Sequence, residues 1–146
     1  MERPRVVILG AGFGGLQCAK QLSGKPVDVL LVDRNNYHLF TPLLYQVASS
    51  LLNPSDIAHP VRSTLQGSPN VRFRHVDIAG IDTVRKVLTT TDAGEIPYDY
   101  LVVAGGSVTN YFGNESVERL ALGLKDLPEA LHLRNHLLRS LEAAAC

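Results

Sequence analysis

Tryptophan is absent from this chain, methionine occurs once and cysteine only twice. Cys18 and Cys146 are too few and too far apart to frame a disulfide scaffold, and no C-x-x-C pair is available for dithiol chemistry. Cys18 falls in a helical pattern, where a buried, inert thiol is the expected state. An excess of either charge is also missing, because 14 Lys and Arg balance 14 Asp and Glu. That leaves no basic field to attract nucleic acid or an anionic membrane surface. No run approaches the roughly 18 apolar residues that can span a bilayer. Arg3 and Arg5 stand just ahead of a first apolar run that lacks the small-residue cleavage site of a secretory leader, so the chain reads as cytoplasmic. Internal repeats and low-complexity stretches are lacking, apart from a short alanine run near the C-terminus.

What is present starts at once. With 146 residues and 45% hydrophobic side chains, the chain has material for one domain with a real core. Val6–Leu9 reads as a buried strand and leads directly into Gly10-Ala11-Gly12-Phe13-Gly14-Gly15. A helical pattern over Phe13–Ser23 follows, with Leu16, Ala19 and Leu22 on one stripe and Gly24-Lys25-Pro26 to end it. A second apolar run, Val27–Val32, then closes on Asp33. This is G-x-G-x-x-G in the full dinucleotide-binding context of strand, turn, helix, strand and acid. Each residue type has a physical task. Gly10 permits the tight turn, Gly12 leaves the backbone open to a pyrophosphate, and Gly15 lets helix and sheet pack closely. The helix N-terminus offers N–H groups and partial positive charge to the phosphates. Asp33 can accept from ribose hydroxyls and would repel a 2′-phosphate, which favours FAD or NAD over NADP; the neighbouring Arg34 softens that exclusion.

Beyond Asp33 a simple βαβαβ unit would turn into a helix, but Asn35 to Asn70 is long and carries Pro42, Pro54, Pro60 and Pro69. Segments of this length are functional or hide short helices. Asn53-Pro54-Ser55-Asp56 reads as a helix entry, Pro60–Gln66 as a short helix with Val61 and Leu65 inward, and Gly67–Asn70 as a turn. Val71–Ile78 reads as a strand, Ile81–Val84 and Lys86–Thr91 as short antiparallel strands, and Asp92-Ala93-Gly94 as a turn. Leu101–Ala104 is a further buried strand ending at Gly105-Gly106. A last helix is capped by Asp126, with Pro128 in its first turn and Glu129 three residues past the cap. Its apolar face comprises Leu127, Ala130, Leu131, Leu137, Leu138 and Leu141. The predicted architecture is α/β, a Rossmann-like FAD/NAD(P)-binding three-layer fold with a parallel sheet and a small antiparallel β-meander insertion.

The stretch Asn36-Tyr37-His38-Leu39-Phe40-Thr41-Pro42-Leu43-Leu44-Tyr45-Gln46-Val47-Ala48 resembles the segment after the ribose acid in type II NADH:quinone oxidoreductases, the single-subunit, non-proton-pumping NADH dehydrogenases. The likeness continues through Asn53–Ala58, Pro60–Arg62, Tyr98–Gly106 and Ala121–Lys125, and so runs over essentially the whole chain. The resemblance implies FAD bound across this domain. Gly10, Gly12, Phe13, Gly14 and Gly15 would meet the pyrophosphate. Asp33 would hold the adenosine ribose with Arg34 beside the adenine, and the Ile78 backbone would lie near the adenine edge. Thr41, Pro42 and Leu43 would approach the isoalloxazine, and the turn Ala104-Gly105-Gly106 would close over the phosphate and ribitol side. Where the family usually reads Ala-Thr-Gly, Gly105 replaces the threonine and removes a hydroxyl.

Family members continue into an NADH domain, return to the FAD domain and end in a membrane-binding region. The resemblance therefore casts residues 1–146 as an N-terminal FAD-binding portion without those parts. The whole enzyme would pass a hydride from NADH to FAD and two electrons to a quinone. It would lie peripherally on the cytoplasmic side of the inner membrane and meet the membrane surface only through its C-terminal region. The fragment alone is expected to be inactive, and homodimerisation through uncovered apolar surface is open.

Hydride transfer to a flavin needs no nucleophile-and-base pair, so no acid/base catalyst is assigned. His132 and His136 lie at i, i+4 spacing but lack the further ligands of a zinc site. His38 reads as a turn histidine bonded to backbone, while His59 and His75 carry no signal. Tyr37, Phe40 and Tyr45 are expected to pack the long segment onto the sheet, and Arg72 and Arg74 to face outward around Phe73. Three alternatives stand beside this reading: a sulfide:quinone reductase, which relies on redox cysteines scarce here, a non-catalytic dinucleotide-binding module, and an NAD-dependent dehydrogenase domain.

Overall fold

The structure, a computed structural model, describes residues 3–92 and 94–145. Ala93, and with it the turn expected at 92–94, lies partly outside the described residues, as does Cys146. The chain forms two compact units.

The first unit comprises residues 1–38 and 60–106. Its centre is a parallel sheet of β1 (Arg5–Leu9), β2 (Asp28–Asp33), β5 (Val71–His75) and β9 (Tyr100–Val103) in the order β5-β2-β1-β9. Sequential strands run outward on one side of β1, and β9 returns on the other. The topological switch therefore lies at β1, where open α/β sheets bind ligands at the carboxyl ends of their strands. Val6 pairs with Val29 and with Tyr100, and Asp33 with His75. Side chains alternate across the sheet. Val6, Ile8, Val29 and Leu31 face α1 (Phe13–Gln21) and α4 (Val61–Thr64), joining Leu16, Ala19, Val61 and Leu65 in one core. Val7 and Val32 face the other way, onto Val76, Leu88, Ile96 and Tyr98.

That second core is roofed by an antiparallel sheet of β6 (Ile78–Asp82), β7 (Val87–Thr90) and β8 (Glu95–Pro97). The three layers are thus helices, parallel sheet and β-meander. The expected Val71–Ile78 strand ends at His75, the last residue of β5, and Ile78 opens β6 of the meander, three residues ahead of the expected Ile81–Val84 strand. Val76 spans the change, buried, with its N–H donating to the Asp33 carbonyl at 2.9 Å. The third meander strand, β8, was not anticipated. Arg85 and Glu95 form a bidentate pair on the exposed side of this sheet, both contacts 2.9 Å, and Glu95 raises the guanidinium pKa.

Asn70 ties the α1–β2 connection together. It is buried; its Oδ1 accepts from Gly24 N–H, and its Nδ2 donates to the carbonyls of Leu22, Lys25 and Val27.

The second unit comprises residues 39–59 and 107–146. It holds a 3-10 turn at Thr41–Leu43, α2 (Leu44–Ala48), α3 (Pro54–Ile57), α5 (Glu115–Leu120) and α6 (Leu127–Ala145). The helix entry read at Asn53 is a capping box between Asn53 and Asp56. The Asp126 cap on α6 is formed too, with Glu129 N–H donating to Asp126 Oδ1 at 2.9 Å. Leu44, Val47, Ala48, Ile57 and Ala130 make the core of this unit, with Leu127 and Leu131 packed on it. The apolar face expected on α6 is buried only in its first half, and Leu137, Leu138 and Leu141 are exposed. The long segment from Asn35 to Asn70 is thus mostly short structure: the strands β3 (Tyr37–Leu39) and β4 (Ala58–Pro60), the 3-10 turn, α2, α3 and α4.

Candidate functional site

The glycine turn leaves the end of β1 and enters α1 with Gly12 as N-cap. Gly10 holds φ at +105°, a left-handed conformation that L side chains rarely adopt, and a Cβ there would run into the Ala104 carbonyl. A Cβ on Gly15 would strike the Gly10 carbonyl oxygen, so α1 approaches the turn only because position 15 is bare. Gly12 and Gly14 differ, because nothing lies within 4 Å of where their Cβ atoms would be. Gly12 is exposed, α1 has no side-chain cap, and its first turn contains no acidic residue. A helix start left in this state is a ready anion site. The tight turn at Gly10 and the close approach at Gly15 are those the motif predicts, and Gly12 stands exposed between them.

Asp33 closes β2 beside this turn. Its Oδ2 accepts from Ala11 N–H at 2.6 Å and its Oδ1 from Asn35 N–H at 2.7 Å. An ionised carboxylate offers about four lone-pair directions, so both oxygens keep capacity for sugar hydroxyls. Gly10, Asp33, Arg34, Ile78, Gly80 and Gly105 line one cleft of about 300 Å³ at the carboxyl ends of the parallel strands. That volume is at the lower limit of small-ligand sites. A wider cleft, about 650 Å³, opens by Arg3, Arg5, Lys86 and Asp99 at the opposite, amino end of the sheet. Ligands of this fold sit at the carboxyl end, so the smaller cleft is the relevant one.

The structure therefore gathers Gly10, Asp33, Arg34, Ile78 and Gly105, with Gly12, Phe13, Gly14 and Gly15 forming the turn and helix start beside them. Ala104 extends the ladder by donating its N–H to the Leu9 carbonyl at 2.8 Å, and Gly106 turns the chain away at φ +74°. Gly105 has no atom within 4 Å of its missing Cβ. Thr41, Pro42 and Leu43 form the 3-10 turn of the second unit, where Thr41 and Pro42 are exposed and Leu43 packs on that unit's core.

Two histidines take part in ways the sequence only half disclosed. His38 Nδ1 lies 3.0 Å from the Ala11 carbonyl oxygen, so the expected bond to backbone is made, though from the strand β3 and not from a turn, and its ring meets Phe13 edge-on at 5.0 Å between centroids. His75, which carried no signal, places Nε2 2.7 Å from the Arg34 carbonyl and braces the residue after the acid. The paired register of Asp33 and His75 explains this contact, and register is not readable from either residue alone. Phe73 stacks under the Arg62 guanidinium, 5.1 Å from the ring centroid.

Parallel sheet, switch point, bare glycine turn and acid together define a dinucleotide-binding domain of the Rossmann type. The profile of one family, pyridine nucleotide-disulphide oxidoreductase, matches residues 4–144. This chain belongs to that family. It is 43% identical over 148 aligned positions to the type II NADH:quinone oxidoreductase Ndh of Mycobacterium tuberculosis, covering 98% of this chain and 32% of that protein. Among solved structures it superposes on NDH2 of Plasmodium falciparum, determined in complex with NADH, with TM-score 0.90 and 28% identity over 99% of this chain and 31% of the other. The sulfide:quinone oxidoreductase of Aquifex aeolicus follows at TM-score 0.81 and 27% identity, covering 96% of this chain and 32% of that one. The chain thus spans about a third of the length of the relatives it matches.

Proposed function

We propose that this chain is the FAD-binding portion of an NADH:quinone oxidoreductase. The observation that carries the proposal is the open amide turn at Gly12, set between the start of α1 and the Asp33 carboxylate. The likeness over nearly the whole chain to proteins named type II NADH:quinone oxidoreductase supports the choice of reaction.

The residues present fit FAD. Gly12, Phe13, Gly14 and Gly15 would hold the diphosphate against backbone amides, and Asp33 would accept from the ribose hydroxyls. Arg34 and the Ile78 backbone would border the adenine in the 300 Å³ cleft. Ala104, Gly105 and Gly106 would face the phosphate and ribitol side. When bound, FAD supplies the capacity to take a hydride from NADH and release two electrons to a quinone. The protein's part is to bind and orient: the helix start neutralises phosphate charge, and the Asp33 carboxylate disfavours a 2′-phosphate.

The test is to denature the purified protein and identify the released small molecule by mass, then assay NADH-to-quinone turnover of the full-length protein. Released FAD and turnover support the proposal. Failure to bind FAD when it is added in excess overturns it.

A further inference from the structure

We infer that His38 is a positioning residue that fixes the peptide between Ala11 and Gly12, and with it the direction of the Gly12 N–H. The inference rests on the flavin-site reading above. Ala11 is buried at 2% exposure, so both its backbone polar groups need partners. They find them in side chains from outside the turn. The N–H donates to Asp33 Oδ2 at 2.6 Å, and the carbonyl faces His38 Nδ1 at 3.0 Å. A carbonyl can only accept, so Nδ1 carries the proton.

The short loop from Asp33 to His38 therefore starts and ends on the same residue, gripping Ala11 on both sides. The edge-on Phe13 ring, at an interplanar angle of 87°, fixes the orientation of the imidazole. The described residues contain no cis peptide bond, so the Ala11 carbonyl and the Gly12 N–H point in opposite directions. Held toward His38, the carbonyl turns the amide away from the imidazole. A flip of this one peptide would present a carbonyl oxygen, the negative end of the dipole, where the diphosphate needs a donor. His38 thus acts on the cofactor through a peptide plane, without touching the cofactor.

The test compares His38→Leu, which keeps bulk and removes the donor, with His38→Asn, whose side-chain amide places an N–H near the position of Nδ1. FAD affinity of the full-length apoprotein is read by quenching of flavin fluorescence. Thermal unfolding and the 15N spectra of the imidazole and of the Gly12 amide are recorded in parallel. The expected result is a protonated Nδ1, an affinity loss of about tenfold or more in His38→Leu, and a loss within about threefold in His38→Asn. Equal losses in the two variants, unchanged affinity in His38→Leu, or an unprotonated Nδ1 would overturn the inference. If the parent protein binds no FAD, the flavin reading fails separately. The Gly12 amide resonance then decides, with a shift in His38→Leu but not in His38→Asn upholding the clamp and its absence refuting it.

Discussion

The N–H of Ala11 and the carboxylate of Asp33 are joined at 2.6 Å across 22 positions of sequence. The acid that ends β2 is consequently part of the glycine turn as well as the group proposed to hold a ribose. Asp33→Asn removes the charge and points an amide N–H at one of two backbone N–H groups. FAD affinity is expected to fall by roughly tenfold to a hundredfold, the value of a charge-assisted hydrogen bond. Titration of the apoprotein with FAD checks this, and unaltered affinity would show that the carboxylate serves neither role.

Gly15 and Gly10 touch with no room for a methyl group. Gly15→Ala is expected to cost roughly 3 kcal/mol of stability through a backbone collision at the junction of strand and helix. Urea unfolding measures it as a lowered midpoint with an unchanged slope.

Gly105 stands in open space at the site's corner, with a backbone that other residues can adopt. Gly105→Thr should leave the melting temperature unchanged and place a hydroxyl near the cofactor. A gain in FAD affinity of about threefold to tenfold is expected, the worth of one added hydrogen bond. Equilibrium binding to the two proteins side by side decides the point.

Along α6 the two halves of one apolar face have different environments. Ala130 is fully buried, so Ala130→Leu should destabilise the second unit by roughly 1–3 kcal/mol through overpacking. Leu141 is 67% exposed, and Leu141→Gln should change stability by less than about 0.5 kcal/mol. Thermal unfolding of both variants makes the comparison.

What could be read from the sequence, and what could not, follows from how local each signal is. β1, α1 and β2 were legible because a continuous apolar run, a glycine turn and a helical stripe are each written within a few residues. The capping residues Asn53 and Asp126 were legible for the same reason. β8 went unread because it is three residues long, has only Ile96 buried and ends in Pro97. α5 went unread because none of its six residues is buried, so it has no apolar period to show. The division between β5 and β6 lies in a stretch that is β-like throughout, where only the change of sheet partner marks the boundary. Within the site, the glycines and Asp33 were visible as a motif. That His38 bonds to backbone was legible, but the carbonyl it holds was not, and His75 gave no sign of its part, since each depends on a backbone carbonyl that the fold brings from another segment.

The central claim is that a diphosphate rests on the bare amides at Gly12. Gly12 has backbone angles of φ −71° and ψ −166°, open to any residue, and beyond its own chain neighbours nothing lies within 4 Å of a Cβ. Gly12→Val therefore separates binding from folding. Calorimetric titration with FAD should show binding to the parent protein and none to Gly12→Val, with the variant still unfolding cooperatively and losing no more than the roughly 1 kcal/mol of a poorer N-cap. Equal FAD affinity in both proteins would contradict the account.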